Sequence, residues 1–90
     1  MTSASGTVRW VVYIVECREG SLYTGITNDL EKRLAAHNEG NGARFTRGRR
    51  PVQLKYCEQQ PDRSAATKRE AQIKNLSRSE KLRLIEQYQS

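Results

Sequence analysis

The stretch Trp10-Val-Val-Tyr13-Ile-Val-Glu-Cys17, continued across Arg18-Glu19-Gly20 into Ser21-Leu-Tyr23-Thr-Gly25-Ile26, decides how this chain folds. Both runs are short and rich in β-branched and aromatic residues, which predicts two strands. The linker fits a three-residue hairpin loop with Gly20 in the left-handed conformation. That loop places Cys17 opposite Ser21, Val15 opposite Tyr23 and Tyr13 opposite Gly25. Facing residues then share parity, so the phenols of Tyr13 and Tyr23 point to one side of the sheet. A two-residue loop would send them to opposite sides. Gly25 leaves room beside the Tyr13 ring.

Outward from the hairpin, Asn28 is a good N-cap for a helix over about Asp29 to Glu39, with Glu31 completing a capping box and Gly40 as the stop. A basic, glycine-punctuated loop follows, Gly40-Asn-Gly-Ala-Arg-Phe-Thr-Arg-Gly-Arg-Arg-Pro51. The alternation in Val52-Gln-Leu54-Lys-Tyr56 predicts a third strand with one buried face. Pro61-Asp62 opens a helix over about Arg63 to Leu76, and Ser77 with Glu80 forms a capping box for a last helix reaching about Tyr88. The order β-β-α-β-α-α predicts an α+β fold, a three-stranded mixed or antiparallel sheet flanked by three helices.

Ninety residues, 29% charged and 36% hydrophobic, suit one domain with one small core, over residues 9–90. Residues 1–8 are small and polar, without the apolar segment of a secretory signal, and are expected to be a disordered lead-in. No apolar run approaches the roughly 20 residues that span a membrane. The chain is therefore expected in the cytoplasm, with Cys17 and Cys57 on separate strands as buried thiols. Two cysteines with one distant histidine make no zinc pattern. Lys and Arg outnumber Asp and Glu by 16 to 10, and eleven of the basic residues are Arg. The planar fork of Arg matches phosphate oxygens, so this bias points to nucleic acid. Arg44, Arg47, Arg49 and Arg50 crowd the glycine-punctuated loop around Phe45, which reads as a segment following a phosphate backbone with a stacking ring.

Charged residues also occupy core positions. Leu30, Arg33, Leu34 and His37 share one face of the first helix. Arg33 and His37 are one turn apart and project together. On the next helix Ala66, Glu70 and Ile73 share a face. An isolated charge among apolar neighbours is expensive to bury. A partly buried Arg33–Glu70 ion pair would account for two of these residues. A cleft shared by Tyr13, Tyr23, Arg33, His37 and Glu70 would account for all of them. Arg neutralises phosphate, Glu holds a hard divalent cation, and Tyr or His takes a proton from water. Without an Asp/Glu cluster, a single Mg²⁺ on Glu70, water and substrate phosphate is the economical arrangement.

These residues give the chain a resemblance to the GIY-YIG nuclease domain, specifically its short bacterial branch. Val11-Val12-Tyr13 and Tyr23-Thr24-Gly25 stand at the two signatures, with Arg33, His37 one turn later, and Glu70 as the metal-binding glutamate. The phrases Ser21-Leu-Tyr-Thr-Gly-Ile-Thr27, Thr46-Arg-Gly-Arg-Arg-Pro-Val52 and Lys68-Arg-Glu-Ala-Gln-Ile-Lys74 also look typical of that branch. The Gly and Ile of the first signature are Val11 and Val12 here, and Ile26 stands where some members carry a lysine. The resemblance implies hydrolysis of a DNA phosphodiester with departure of the 3′ oxygen, using Mg²⁺, with Mn²⁺ as a substitute and no organic cofactor. It implies Tyr13 as general base, with Tyr23 and His37 orienting it or the water. A metal-bound hydroxide with Tyr13 as relay is the competing version. A phenol of pKa near 10 loses about 4 kcal/mol in ionising at pH 7. Arg33 would stabilise charge on the phosphate. No module for reading base edges is present, so low sequence specificity is expected, with structured or damaged DNA, as in repair or recombination, a compatible substrate. A binding module of the same fold that holds DNA or RNA without cutting, and a basic adaptor for an acidic protein, are the alternatives.

Overall fold

Strand β1 (Trp10–Glu16) lies between β2 (Leu22–Thr27) and β3 (Gln53–Gln60), antiparallel to both, so the sheet is antiparallel throughout. The computed structural model describes residues 9–89; the expected lead-in over residues 1–8 lies outside them. The hairpin has the expected register, with Val15 opposite Tyr23 and Tyr13 opposite Gly25. Its loop closes through Cys17 N–H to Ser21 O at 2.8 Å, with Gly20 at φ +96°.

Among the described residues there are four helices: α1 (Leu30–Asn38), the single turn α2 (Arg44–Arg47) against α1, α3 (Arg63–Lys74) and α4 (Arg78–Gln89). The turn α2 falls inside the segment expected to be an irregular loop. Strand parity splits the core. Val12 and Ile14 pack with Tyr56, Ala66, Ile73 and Ile85 beneath α3 and α4. Tyr13, Val15 and Cys17 pack with Val52, Leu54, Leu30 and Leu34 on the α1 side. Filling a core site with one such aliphatic side chain contributes roughly 1.5–3 kcal/mol.

Three local expectations change. The α1 cap is Asp29, whose side chain accepts from Lys32 N at 3.2 Å, so the Asn28–Glu31 box does not form. The Thr27 hydroxyl accepts from Asp29 N at 3.0 Å and fixes the turn one residue later than expected. The alternation Val52, Leu54, Tyr56 does not bury one face. The β1–β3 register slips between Ile14 and Val15, so Ile14 pairs with Tyr56 but Val15 with Leu54. The extra residue, Lys55, is a bulge that sends Tyr56 to the α3–α4 side. Finally, Cys17 is buried just past the end of β1, whereas Cys57 is only partly buried and its thiol lies 3.5 Å from the Tyr88 hydroxyl.

The remaining boundaries follow the sequence. Gly40, at φ +88°, ends α1 while Asn41 N bonds Ala36 O and Gly40 N bonds His37 O, a Schellman closure. Asp62 caps α3 by accepting from Ala65 N at 2.8 Å. Ser77 and Glu80 cap α4 reciprocally, at 2.8 and 3.2 Å. Glu58 on β3 accepts from Arg69 Nε at 2.9 Å and from the Tyr56 hydroxyl.

Candidate active site

The hairpin parity and the α1 stripe bring Tyr13, Tyr23, Arg33 and His37 together. Tyr13 and Tyr23 sit on one side of the ribbon with ring centroids 6.4 Å apart. The His37 ring meets both edge-on, at 5.9 and 5.4 Å. The Tyr13 hydroxyl lies 2.9 Å from His37 Nε2, and Arg33 Nε donates to the same oxygen at 3.4 Å. Tyr13 and His37 are both 0% exposed, while Arg33 is partly exposed. Arg33 therefore stands on the solvent side of the phenol.

Behind the imidazole is a residue that the sequence does not mark as part of the site. His37 Nδ1 lies 2.7 Å from the hydroxyl of Thr46, which is fully buried. That hydroxyl donates to Ala43 O at 3.1 Å and accepts from Ala43 N at 3.3 Å. With its proton so directed, Thr46 accepts from Nδ1–H, which leaves Nε2 as the acceptor of the Tyr13 proton. Every group is then satisfied in one direction, from Arg33 through Tyr13, His37 and Thr46 to a backbone carbonyl. The turn α2 makes this possible, since it carries Thr46 back over α1.

Two glycines keep the cluster tight. A Cβ on Gly25 would lie 2.6 Å from the Tyr13 hydroxyl, and one on Gly42 would lie 2.8 Å from the His37 Cα. Gly25 thus allows close approach of the phenol rather than leaving empty space. Nothing in the sequence marks Gly42, because its approach to His37 crosses a turn that residue order does not reveal.

The electrostatics follow from burial. Burial pushes the Tyr13 phenol above its ordinary value; Arg33 opposes this, and the charges of Tyr23 and Glu70 add to it. Burial and then the Arg33 charge push the His37 imidazole down, so it is neutral near pH 7. Hydrogen bonding to Tyr13 raises Arg33 further. Glu70, on α3, is near enough to act on Tyr13, but its carboxylate pairs with Lys74 at 3.3 Å rather than with Arg33. Its side chain is 20% exposed. Among the described residues no group of three His, Cys, Asp or Glu could hold a metal ion. A lone partly exposed carboxylate fits Mg²⁺, which keeps several waters and takes the rest of its ligands from substrate phosphate.

The model of the GIY-YIG catalytic domain matches residues 9–83. The chain belongs to the GIY-YIG family. It is 55% identical over 74 residues to a UPF0213 protein of Staphylococcus saprophyticus, covering 82% of this chain and 90% of that one. A UPF0213 protein of Haloquadratum walsbyi is 54% identical over 76 residues, covering 84% and 85%. The solution NMR structure of a UPF0213 protein from Bacillus halodurans is similar at TM-score 0.56 and 41% identity, covering 87% and 83% of the two chains. That of a protein from E. faecalis is similar at TM-score 0.61 and 37% identity, covering 90% and 86%.

In this GIY-YIG domain the substitution of Val11 and Val12 in the first signature is absorbed by packing, since Val12 is fully buried in the core on the α3 side. The basic segment divides into two sets. Phe45 stacks on Tyr23 at 5.8 Å and 23°, and the Arg49 guanidinium sits 4.3 Å from its centroid. The ring expected to stack on a base also braces Tyr23, and it remains 38% exposed. Arg49 itself is tied to Glu19 at 2.8 Å and to Phe45 O at 2.7 Å. Arg50 donates to Asn38 O at 3.4 Å, while among the described residues the side chains of Arg44 and Arg47 have no hydrogen bond or ion pair.

Proposed function

We propose that this chain is a Mg²⁺-dependent endonuclease that hydrolyses DNA phosphodiester bonds in the cytoplasm with low sequence specificity. The observation that carries the reading is a buried phenol whose oxygen receives Arg33 Nε–H on its solvent side and reaches a neutral imidazole at 2.9 Å on the other. A tyrosine buried only for packing needs an acceptor for its hydroxyl, but not a guanidinium donating to the same oxygen from the solvent side.

An incoming phosphate draws the Arg33 guanidinium outward, which opens the Tyr13 oxygen to water. Water then gives its proton to Tyr13 as Tyr13 gives its own to His37 Nε2. Full phenolate formation, costlier than about 4 kcal/mol for a buried tyrosine, is avoided. The water oxygen forms a bond to phosphorus as the bond to the 3′ oxygen breaks. Arg33 stabilises the charge gathering on the phosphate, and Tyr23 holds the ring edges of Tyr13 and His37 in place. Glu70 would hold the cation, which neutralises phosphate charge and stabilises the departing oxygen.

Incubation with plasmid and branched DNA, with Mg²⁺ or with chelator, tests the reading. Mg²⁺-dependent nicking by the wild type, abolished in Glu70→Ala with the fold intact, is expected. Retardation without products in every condition would make the chain a non-cleaving binder.

Thr46 gives a second test. Thr46→Val leaves Nδ1–H buried without an acceptor, at a cost of about 1–3 kcal/mol. The other tautomer relieves that cost by protonating Nε2, which removes the proton acceptor and lowers kcat by about 10²-fold. Thr46→Ser is expected to restore kcat; equal kcat for the Val and Ser variants would sever Thr46 from the relay.

A further inference from the structure

A cleft of about 390 Å³ opens where the hairpin loop meets the segment after α1, lined by Arg18, Asn38, Arg47, Gly48, Arg50 and Pro51. Three guanidiniums border it and no carboxylate does. The adjoining cleft, which shares Arg18 and Pro51, contains Glu16 and is not comparable. Arg49, between the basic residues in sequence, already has Glu19 as counter-charge. Among the described residues the side chains of Arg18 and Arg47 have no such partner, and Arg50 meets only a backbone carbonyl at 3.4 Å.

Gathering like charges without a counter-ion raises the energy of the free protein, and an external anion relieves it. Shape adds to this. Arg18 is held in place through its backbone N–H to Arg49 O at 2.9 Å, so hairpin loop and basic segment move as one piece. Arg50 is seated against Gly40, where a Cβ would lie 2.9 Å from its Nη1. The backbone rim of the cleft is thus tied together, and the exposed Arg18 and Arg47 forks are left to bond a ligand.

We propose that this cleft is a second phosphate subsite, which holds the DNA backbone away from the bond being cut. The proposal rests on the function given above. Arg18 follows Tyr13 by five residues, the last two beyond the end of β1, so along the chain they are at most about 17 Å apart at roughly 3.3 Å each. One phosphate is too small to reach both places, and the separation is at most about five nucleotides of rise at roughly 3.4 Å each. The occupant is therefore a neighbouring phosphate of the same polymer. Arg18, absent from the basic loop, is the residue this adds to the interface.

The test is the salt dependence of binding to a labelled duplex, read by fluorescence anisotropy. Losing one neutralised phosphate lowers the slope of log Kobs against log[salt] by about 0.9. The Arg18→Ala/Arg47→Ala pair, which empties the one subsite, is expected to lower it by about 0.9. Arg83→Ala, which removes one charge from exposed α4, is expected to leave it unchanged. The Lys pair at the same positions should retain the slope. Should the Ala pair fail to fold, either single Ala variant, expected to show half the decrement, decides the matter. Equal slopes for wild type and variants would overturn the subsite, whatever the cleavage result. Failure of the wild type to cut with Mg²⁺ would instead overturn the nuclease reading.

Discussion

Tyr13→Phe is expected to slow DNA cleavage by about 10²–10⁴-fold, the usual worth of a positioned proton-transfer group. The substitution removes one oxygen and leaves the ring packed against Val15 and Val52 in the α1-side core. Its cost to stability comes mainly from His37 Nε2, left buried without a donor, about 1–3 kcal/mol. The readout that separates the relay from mere packing is the pH profile. In the wild type, His37 must be neutral to accept the Tyr13 proton, and burial and Arg33 hold its pKa below 6.5. The rate is therefore expected to be level above pH 6.5 and to fall at lower pH as His37 protonates. Folding stability shares this sign. A histidine depressed in the folded state binds fewer protons than in the unfolded chain, so stability is present above the unfolded value near 6.5 and declines as pH falls toward the folded one. Tyr13→Phe should lose the acid limb of the rate but keep that of stability. Cleavage by this variant at the wild-type rate would refute the relay.

Arg33→Ala is expected to lower kcat by about 10²–10³-fold, corresponding to 2.7–4 kcal/mol for a preorganised charge-stabilising group. Arg33 is only partly buried, and Leu30 and Leu34 supply the apolar packing of α1 against the sheet. The fold should persist, checked by far-UV circular dichroism and thermal unfolding. Arg33→Lys should recover part of the rate, since an ammonium supplies the charge but not the planar fork. A second effect is diagnostic. Arg33 contributes to the depression of His37, so its removal should move the acid limb of any residual activity to higher pH. An unchanged limb would mean that Arg33 and His37 do not share one field.

Much of this site is legible in residue order. The loop Arg18-Glu19-Gly20 fixes pairing parity, and parity alone puts both phenols on one side. The polar members of the α1 stripe mark the residues that contact Tyr13. Other parts are hidden for physical reasons. In sequence Thr46 is one polar residue in a basic loop, because the turn α2 has no apolar period and takes its order from His37. Phe45 reads as a stacking ring, and nothing in its neighbourhood announces its contacts with Tyr23 and Arg49. Glu70 reads either as a partner for Arg33 or as the holder of a cation, and in the structure its carboxylate pairs with Lys74. The Lys55 bulge splits an apparently single apolar face in two.

Sequence alone determined the features that act within a few residues: hairpin register, the helix stop at Gly40, the caps at Asp62 and Ser77, and the turn spacing of Arg33 and His37. Backbone conformations and side-chain parity are local and leave a mark on residue order. Tertiary structure alone decided which polar atom completes the buried imidazole, which arginines are left without a partner, and where the β3 ladder slips. Those outcomes depend on surfaces far apart along the chain, whose approach removes water and so compels each stranded donor or acceptor to take the partner that packing brings near.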